Sequence, residues 1–399
     1  MIGVIRQAAA ALRVSTDSLR ARPRHALLVS AGLLIASFTL LVILTIPAGL
    51  QQLVGRTGSE HIGVVLADAG FNETNGNIPP ELVDRIAALP GISRNTEGLP
   101  KVAPQLVVTT KLQRKDGSSG TLLVRGVPPS IWDVVGPAAQ LTEGTAIQAG
   151  TMEVVSGTRL PAGYPFTGTG SELRLIQGSM SSWQVRGEFQ ANGGLWESEL
   201  WADLENLRAE FNAEGQSTTV WVALESDSAF DSFSDAMRKD PRLRGFNVIR
   251  QETLYQMRVA FLSQFSRVGA ITVAIVLGMM AVLAGNSTVG LMLRARRREL
   301  ATLRAIGFKQ GPLFIAILVE IMLLAGFCAA GATLLVWILL PTHEIQSTSG
   351  MLSVGFNMTI TPQVVALTLS YTLLLGVAAA LIPAWRTLAA PLAASLTQE

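Results

Sequence analysis

The sequence is poor in charge: only 15% of its 399 residues are Asp, Glu, Lys or Arg, where a soluble globular chain carries about 25%. It has one cysteine, Cys328, which excludes a disulfide framework or a thiolate metal site within the chain. Its three histidines, His25, His61 and His343, are too scattered to suggest a metal centre. No G-x-x-x-x-G-K-[ST] loop is present to cradle nucleotide phosphates, no G-x-S-x-G elbow and no H-E-x-x-H pair. These absences leave no expected catalytic site on this chain. The apolar runs hold almost no ionisable groups, which argues against a proton- or ion-coupled carrier.

What the sequence has instead is apolar length. Hydrophobic residues make up 49% of it and gather in four runs, 26–48, 268–293, 313–340 and 364–383. Crossing ~30 Å of hydrocarbon takes ~20 helical residues, so each run is long enough to span a bilayer. The first run, longer than the 7–15 residues of a signal-peptide core and without a convincing cleavage site, is expected to remain as a span. Charge sets the expected orientation. Arg6, Arg13, Arg20, Arg22 and Arg24 precede the first span, and Arg294, Arg296, Arg297, Arg298, Arg304 and Lys309 fall between the second and third. Residues 51–265 carry 18 Lys and Arg against 24 Asp and Glu, a net charge of −6. Short basic loops stay in the cytoplasm. Both termini are therefore expected inside and the large domain outside; an exported domain without cysteine is compatible with a bacterial envelope.

The expected fold is an α-helical membrane protein with four transmembrane helices and a large mixed α/β, two-lobed periplasmic domain between the first and second. Residues 1–24 suit an interfacial amphipathic helix, with Arg6, Arg13 and Arg20 on one side and Ile2, Ile5, Ala9 and Leu12 in a stripe. The first span occupies 25–50 and the periplasmic domain 51–260. In that domain 61–67, 102–110, 121–127, 218–224 and 246–250 read as strands, and 81–89 and 228–239 as helices. Asp116-Gly117 marks a hairpin turn. One lobe is expected from about 51–129 and 216–250. A second, about 130–215, would be inserted into it, with strands at 172–176 and 183–189 and a helix over 200–211. A stalk leads into the second span over 261–293. A cytoplasmic helix over 294–312, the third span at 313–340, a loop at 341–362, the fourth span at 363–385 and a cytoplasmic tail at 386–399 complete the chain.

Three features call for explanation beyond topology. In the second loop Leu300, Leu303 and Ile306 fall at helical spacing on one face, with Arg297, Glu299 and Arg304 on others; Gly307 ends that helix. The apolar stripe, facing the cytoplasm, reads as a docking surface. Glu320 lies inside the third span, where it either pairs with a basic loop residue or another helix, or snorkels to the headgroups. Gly326 with Ala330, and Gly376 with Ala380, are spaced for close helix approach, a pattern that membrane composition also produces by itself.

The stretch R-R-R-E-L-A-T-L-R-A-I-G-F, Arg296 to Phe308, resembles the coupling-helix signature of the FtsX-like ABC transporter permeases, the superfamily of MacB-type exporters and LolC/LolE-type lipoprotein-release permeases. Glu320 and the chain end Pro383-Ala384-Trp385-Arg386, with Pro391 and Leu392 beyond, suit the same pattern. Leu89-Pro90-Gly91-Ile92 and Trp196-Glu197-Ser198-Glu199-Leu200-Trp201 are similar to recurring elements of the periplasmic domain. The resemblance implies that Arg296, Arg297, Arg298, Glu299, Leu300, Leu303, Arg304, Ile306 and Gly307 couple to an ABC ATPase, with Glu320, Gly326 and Gly376 in helix packing. MacB proper carries its ATPase on the same chain, so the resemblance here implies a separate ATPase polypeptide that binds the ATP and Mg. It also implies pairing with a second permease chain as a homodimer, contact with membrane lipid, and a periplasmic adaptor with an outer-membrane channel. Nothing in it suggests nucleic acid. The function implied is an exporter permease that transmits ATP-driven motion to its periplasmic domain. The alternatives are lipoprotein or lipid extraction, and regulation of cell-wall hydrolases.

Overall fold

The computed structural model describes residues 23–67, 72–113, 117, 119–160, 164, 168–175, 181–339, 344–349 and 352–390. Of the amphipathic helix expected over 1–24, residues 1–22 lie outside the described residues, as do most of the turn at 115–118 and the tail beyond 390. The chain divides into two units. One takes in Met1–Ala48, Gln264–His343 and Met358–Glu399, the other Gly49–Ser263 and Glu344–Asn357.

The first unit is built from helices. α1 (Pro23–Val54), the later part of α6 (Gln251–Ala295), α8 (Gln310–Leu339) and α9 (Pro362–Ala389) contain the four segments long and apolar enough to cross a membrane, Val29–Leu53, Arg267–Ala295, Gln310–Leu339 and Pro362–Ala389. Local chemistry sets the start of α9: Pro362 stands in its first turn, where a missing N–H costs nothing, and Thr361 Oγ1 caps it by accepting from Val364 N at 3.3 Å. Leu33, Leu293, Ile317, Ile321 and Ala380 form the common core. Dispersion alone is not directional, so polar bonds set the register between helices. Ser37 and Thr372 share a 2.7 Å hydrogen bond, and Tyr371 Oη donates to Ala274 O at 2.6 Å. Close approach also needs small residues. A Cβ on Gly376 would stand 3.2 Å from Ala325 Cβ, and one on Gly285 2.8 Å from Ala379 Cβ. Gly326 plays no such part: a Cβ there would meet nothing within 4 Å. α6 keeps a wide apolar surface uncovered, with Met280 and Leu283 62% and 72% exposed.

The second unit is a mixed α/β domain. Its strands run in the order β10 (Phe246–Arg250), β1 (Ile62–Ala67), β9 (Thr219–Ala223), β2 (Val102–Gln113), β3 (Ser119–Val127), β8 (Leu200–Asp203), β5 (Glu153–Gly157), β7 (Ser182–Gln190) and β4 (Gln140–Gly144), with β6 (Glu172–Arg174) paired to β7. β2 joins two halves. Its residues Val102–Gln105 pair with β9, and Leu106–Gln113 pair with β3. Two cores follow. One packs α2 (Pro80–Ala87) and α5 (Asp227–Lys239) on β1 and β9 through Val65, Val220, Val222, Ile86 and Phe233. The other is built on Leu122, Val124, Val154, Trp183, Val185 and Leu200. The β2–β3 hairpin, read from the sequence as part of the first lobe, thus supplies core to the second. The short α3 (Ile131–Val135) follows β3.

Residues 200–211 depart from the single helix expected there. Leu200, Trp201 and Ala202 are fully buried as β8, parallel to β3 and antiparallel to β5. Asp203 then starts α4 (Leu204–Glu210), its carboxylate accepting from Asn206 N at 3.1 Å. The cap and the sheet partners outweigh the helical spacing of the leucines. β11 (Glu344–Ser349) and β12 (Leu352–Asn357) form an antiparallel hairpin where only a loop was expected, and β12 lies close to β3.

Candidate functional site

In the helical unit the second loop folds as α7 (Arg297–Ala305). Its end is a Schellman motif: Phe308 N donates to Leu303 O and Gly307 N to Arg304 O, both at 3.1 Å. Gly307 sits at φ +109°, a left-handed backbone that glycine alone takes without strain. The helix is fastened at both ends. At its start Arg296 Nη1 donates to both carboxylate oxygens of Glu320, at 2.8 and 3.0 Å, with Arg296 6% and Glu320 2% exposed. Glu320 therefore pairs rather than snorkels. Glu299 is a looser neighbour, 3.7 Å from Arg296 Nε. Toward its end Arg304 Nη1 donates to Ala390 O, the C-cap carbonyl of α9, at 2.9 Å. A cation at a helix C-terminus is also favoured by the helix dipole.

The apolar stripe does not face outward as a whole. Leu300 and Leu303, both half-buried, pack against the core of the bundle, and Ala301 is buried. Full burial of a leucine is worth ~1.5–3 kcal/mol, so even partial burial turns that side of α7 inward. Ile306, past the last helical residue, stays 72% exposed. Arg298, Glu299 and Thr302 are exposed beside it, while Arg297 is half-buried. The free surface of this segment is thus mostly polar with one apolar tip. Of the residues expected in helix packing, Glu320 and Gly376 make close contacts and Gly326 does not.

The inserted domain contains a second polar centre, which sequence reasoning missed. Arg125 of β3 is fully buried, with all five N–H groups taken. Nε and Nη2 donate to Glu199 at 2.7 and 3.0 Å. Nη1 donates to Gln105 Oε1 at 2.6 Å, and both Nη atoms reach Glu73 at 3.1 and 3.3 Å. Burial by itself would lower the pKa of Arg125. The carboxylates of Glu199 and Glu73 reverse that and hold it well above its ordinary value. Its guanidinium lies 4.6 Å from the ring centre of Trp221. Trp221 Nε1 donates to Glu73 at 3.0 Å, and Trp201 Nε1 to Glu199 at 3.3 Å. Trp196 stacks 5.2 Å from Trp221 and donates to Tyr255 Oη at 2.9 Å. Tyr255 belongs to the first turns of α6. Thr57, just past α1, accepts from Leu195 N at 2.7 Å. The segment 195–201 therefore ties both helix ends that enter this unit to β3 and β9. Two signals for this hub were available: an arginine in the otherwise apolar run of β3, and alternating Trp and Glu at Trp196, Glu197, Glu199 and Trp201.

The family profile described as FtsX-like permease C-terminal matches residues 271–392, and that of the MacB-like periplasmic core domain matches residues 26–240. Similar solved structures include the periplasmic region of MacB from Actinobacillus actinomycetemcomitans, at 12% identity and TM-score 0.37, covering 52% of this chain and 96% of that one. The extracellular domain of the noncanonic ABC-type transporter YknZ from Gram-positive bacteria is 12% identical, with TM-score 0.36, covering 47% of this chain and 100% of that one. No curated protein matches. The core-domain profile covers more than half of the chain, and the permease profile takes in the α7 signature and the helices on either side of it. The chain belongs to the MacB-type, FtsX-like family of ABC transporter permeases.

Proposed function

We propose that this chain is the permease subunit of an ABC exporter and works as a transmission between a separate ATPase and its own inserted domain. Permeases of this family work with ABC ATPases, and α7 is the segment offered to one. ATP and Mg would be bound by that partner. The observation that carries the reading is the double fastening of α7, through Arg296 to Glu320 on α8 and through Arg304 to Ala390 at the end of α9. A helix held at both ends passes a push to two spans instead of absorbing it. In this reading α7 and both termini face the cytoplasm of a bacterial inner membrane, and two permease chains form a homodimer. The inserted domain would meet substrate or an adaptor in the periplasm and drive substrate from periplasm or outer leaflet outward.

The exposed surface around Ile306, not the half-buried leucines, makes the contact. Ile306→Asp should abolish co-purification of the ATPase without lowering the chain's own melting temperature. Leu303→Ala, at a half-buried position, should lower stability by ~1–2 kcal/mol and weaken ATPase binding only through that loss. An Ile306→Asp chain that holds its ATPase as well as wild type would refute the assignment.

A further inference from the structure

Two arginines converge beside the outer end of the first span. The point where a Cβ on Gly193 would stand lies 3.2 Å from Arg159 Nη2 and 3.4 Å from Arg56 Nη1. The two nitrogens are therefore no farther apart than the sum of those distances. Gly193 has φ +74°, so a side chain is strained at this point and the notch stays open. Arg159 is aimed by a buried carboxylate. Glu197, 2% exposed, takes Arg159 Nε at 3.1 Å on one oxygen. Its other oxygen accepts from Ala191 N and Gly193 N, both at 2.7 Å. Those bonds leave Nη2 of Arg159 to face the notch. Arg56 is exposed and has no ion pair among the described residues. With Glu197 counted, the three groups keep one net positive charge.

We propose that Arg56 and Arg159 clamp the phosphate of an anionic phospholipid headgroup. Two guanidinium groups at this separation can each give N–H bonds to different oxygens of one phosphate, the geometry that makes arginine a phosphate ligand. The clamp takes a lipid because of where it stands. Arg56 is three residues past Leu53, the end of the first apolar span. That apolar segment is 25 residues long, ~37 Å of helix against ~30 Å of hydrocarbon, so its ends stand in the headgroup layers and Arg56, two residues past Val54 where α1 ends, stays at that level. The site needs only the membrane-spanning fold, so its failure would leave the transmission reading untouched.

The test uses the full chain in detergent, titrated with phosphatidylglycerol and separately with phosphatidylcholine, counting bound lipid by native mass spectrometry. Wild type should prefer phosphatidylglycerol. Arg56→Gln should weaken that lipid about tenfold without changing thermal stability, because Arg56 makes no ion pair among the described residues. Arg238→Gln, an exposed arginine on α5, should leave binding unchanged. Equal affinity of Arg56→Gln and wild type, or an equal loss in Arg238→Gln, overturns the proposal. Millimolar inorganic phosphate should not displace the lipid; displacement would mean that the clamp is a free-phosphate site and overturn the lipid assignment.

Discussion

Replacing Glu320 by alanine tests how α7 is held. Arg296 and Glu320 form a buried pair, with side chains 7% and 1% exposed. Removing one partner of a buried ion pair generally costs ~3–5 kcal/mol, because the other charge is left without compensation. Here Glu299 stands 3.7 Å from Arg296 Nε and is 44% exposed, so it can turn inward and recover part of that loss. The cost should therefore fall near the lower end, ~3 kcal/mol. It is a local cost. Arg304 still holds the far end of α7 on Ala390 O, and Leu300 and Leu303 still pack. Hydrogen exchange reads such a local change directly. Amides of 297–303 should exchange ~100-fold faster in Glu320→Ala, which is 3 kcal/mol expressed as an equilibrium ratio. Those of α9 should be unchanged. Arg296→Leu combined with Glu320→Leu removes both charges and should bring exchange back to within a few fold of wild type. Unchanged exchange in Glu320→Ala would refute the pairing, as would a double variant as loose as the single one.

Arg125→Leu leaves Glu73 and Glu199 buried without their cation, and the inserted domain should lose ~3–5 kcal/mol or fail to fold. Tryptophan emission should report it by a red shift, since Trp196, Trp201 and Trp221 surround the site. Gly376→Val should cost ~1–3 kcal/mol by overpacking against Ala325 and Ile321, whereas Gly326→Val, with open space around it, should be tolerated; thermal denaturation of the two variants in one detergent compares them.

The spans, their number and the strands of the first core were legible because each is written locally, as an apolar run or as a short strand bounded by turn residues. β8 was not. Leu200, Leu204 and Leu207 carry helical spacing, while the buried sheet neighbours that make Leu200 a strand residue lie on β3 and β5. The direction of the α7 stripe was not legible either. Periodicity puts Leu300 and Leu303 on one face, but only the surrounding bundle decides which way that face turns. The hub was hidden for a related reason. Glu73 and Glu199 are 52 and 74 residues from Arg125, so no window of sequence contains the centre.

The helical unit owes most of its cohesion to contacts that do not fix a register. Leucine against leucine is nearly as favourable one turn along, and lipid tails compete for the same surface. Polar bonds differ, because a donor moved by one turn, 5.4 Å, has lost its acceptor altogether. The buried charges of this chain stand where register matters. Arg296 and Glu320 set where α7 begins on α8, and Arg125 with its carboxylates fixes strands whose partners are distant in sequence. Stability and the proposed transmission should therefore separate in the Arg296→Leu, Glu320→Leu double variant. Its α7 is as well packed as wild type, since apolar side chains replace the pair at little cost. The bond that made one position of α7 unique is gone. A transmission element that can settle in more than one position passes on less of each stroke. The double variant should bind its ATPase normally and yet show weaker ATPase stimulation by substrate. Wild-type stimulation in that variant would mean that the pair serves stability alone.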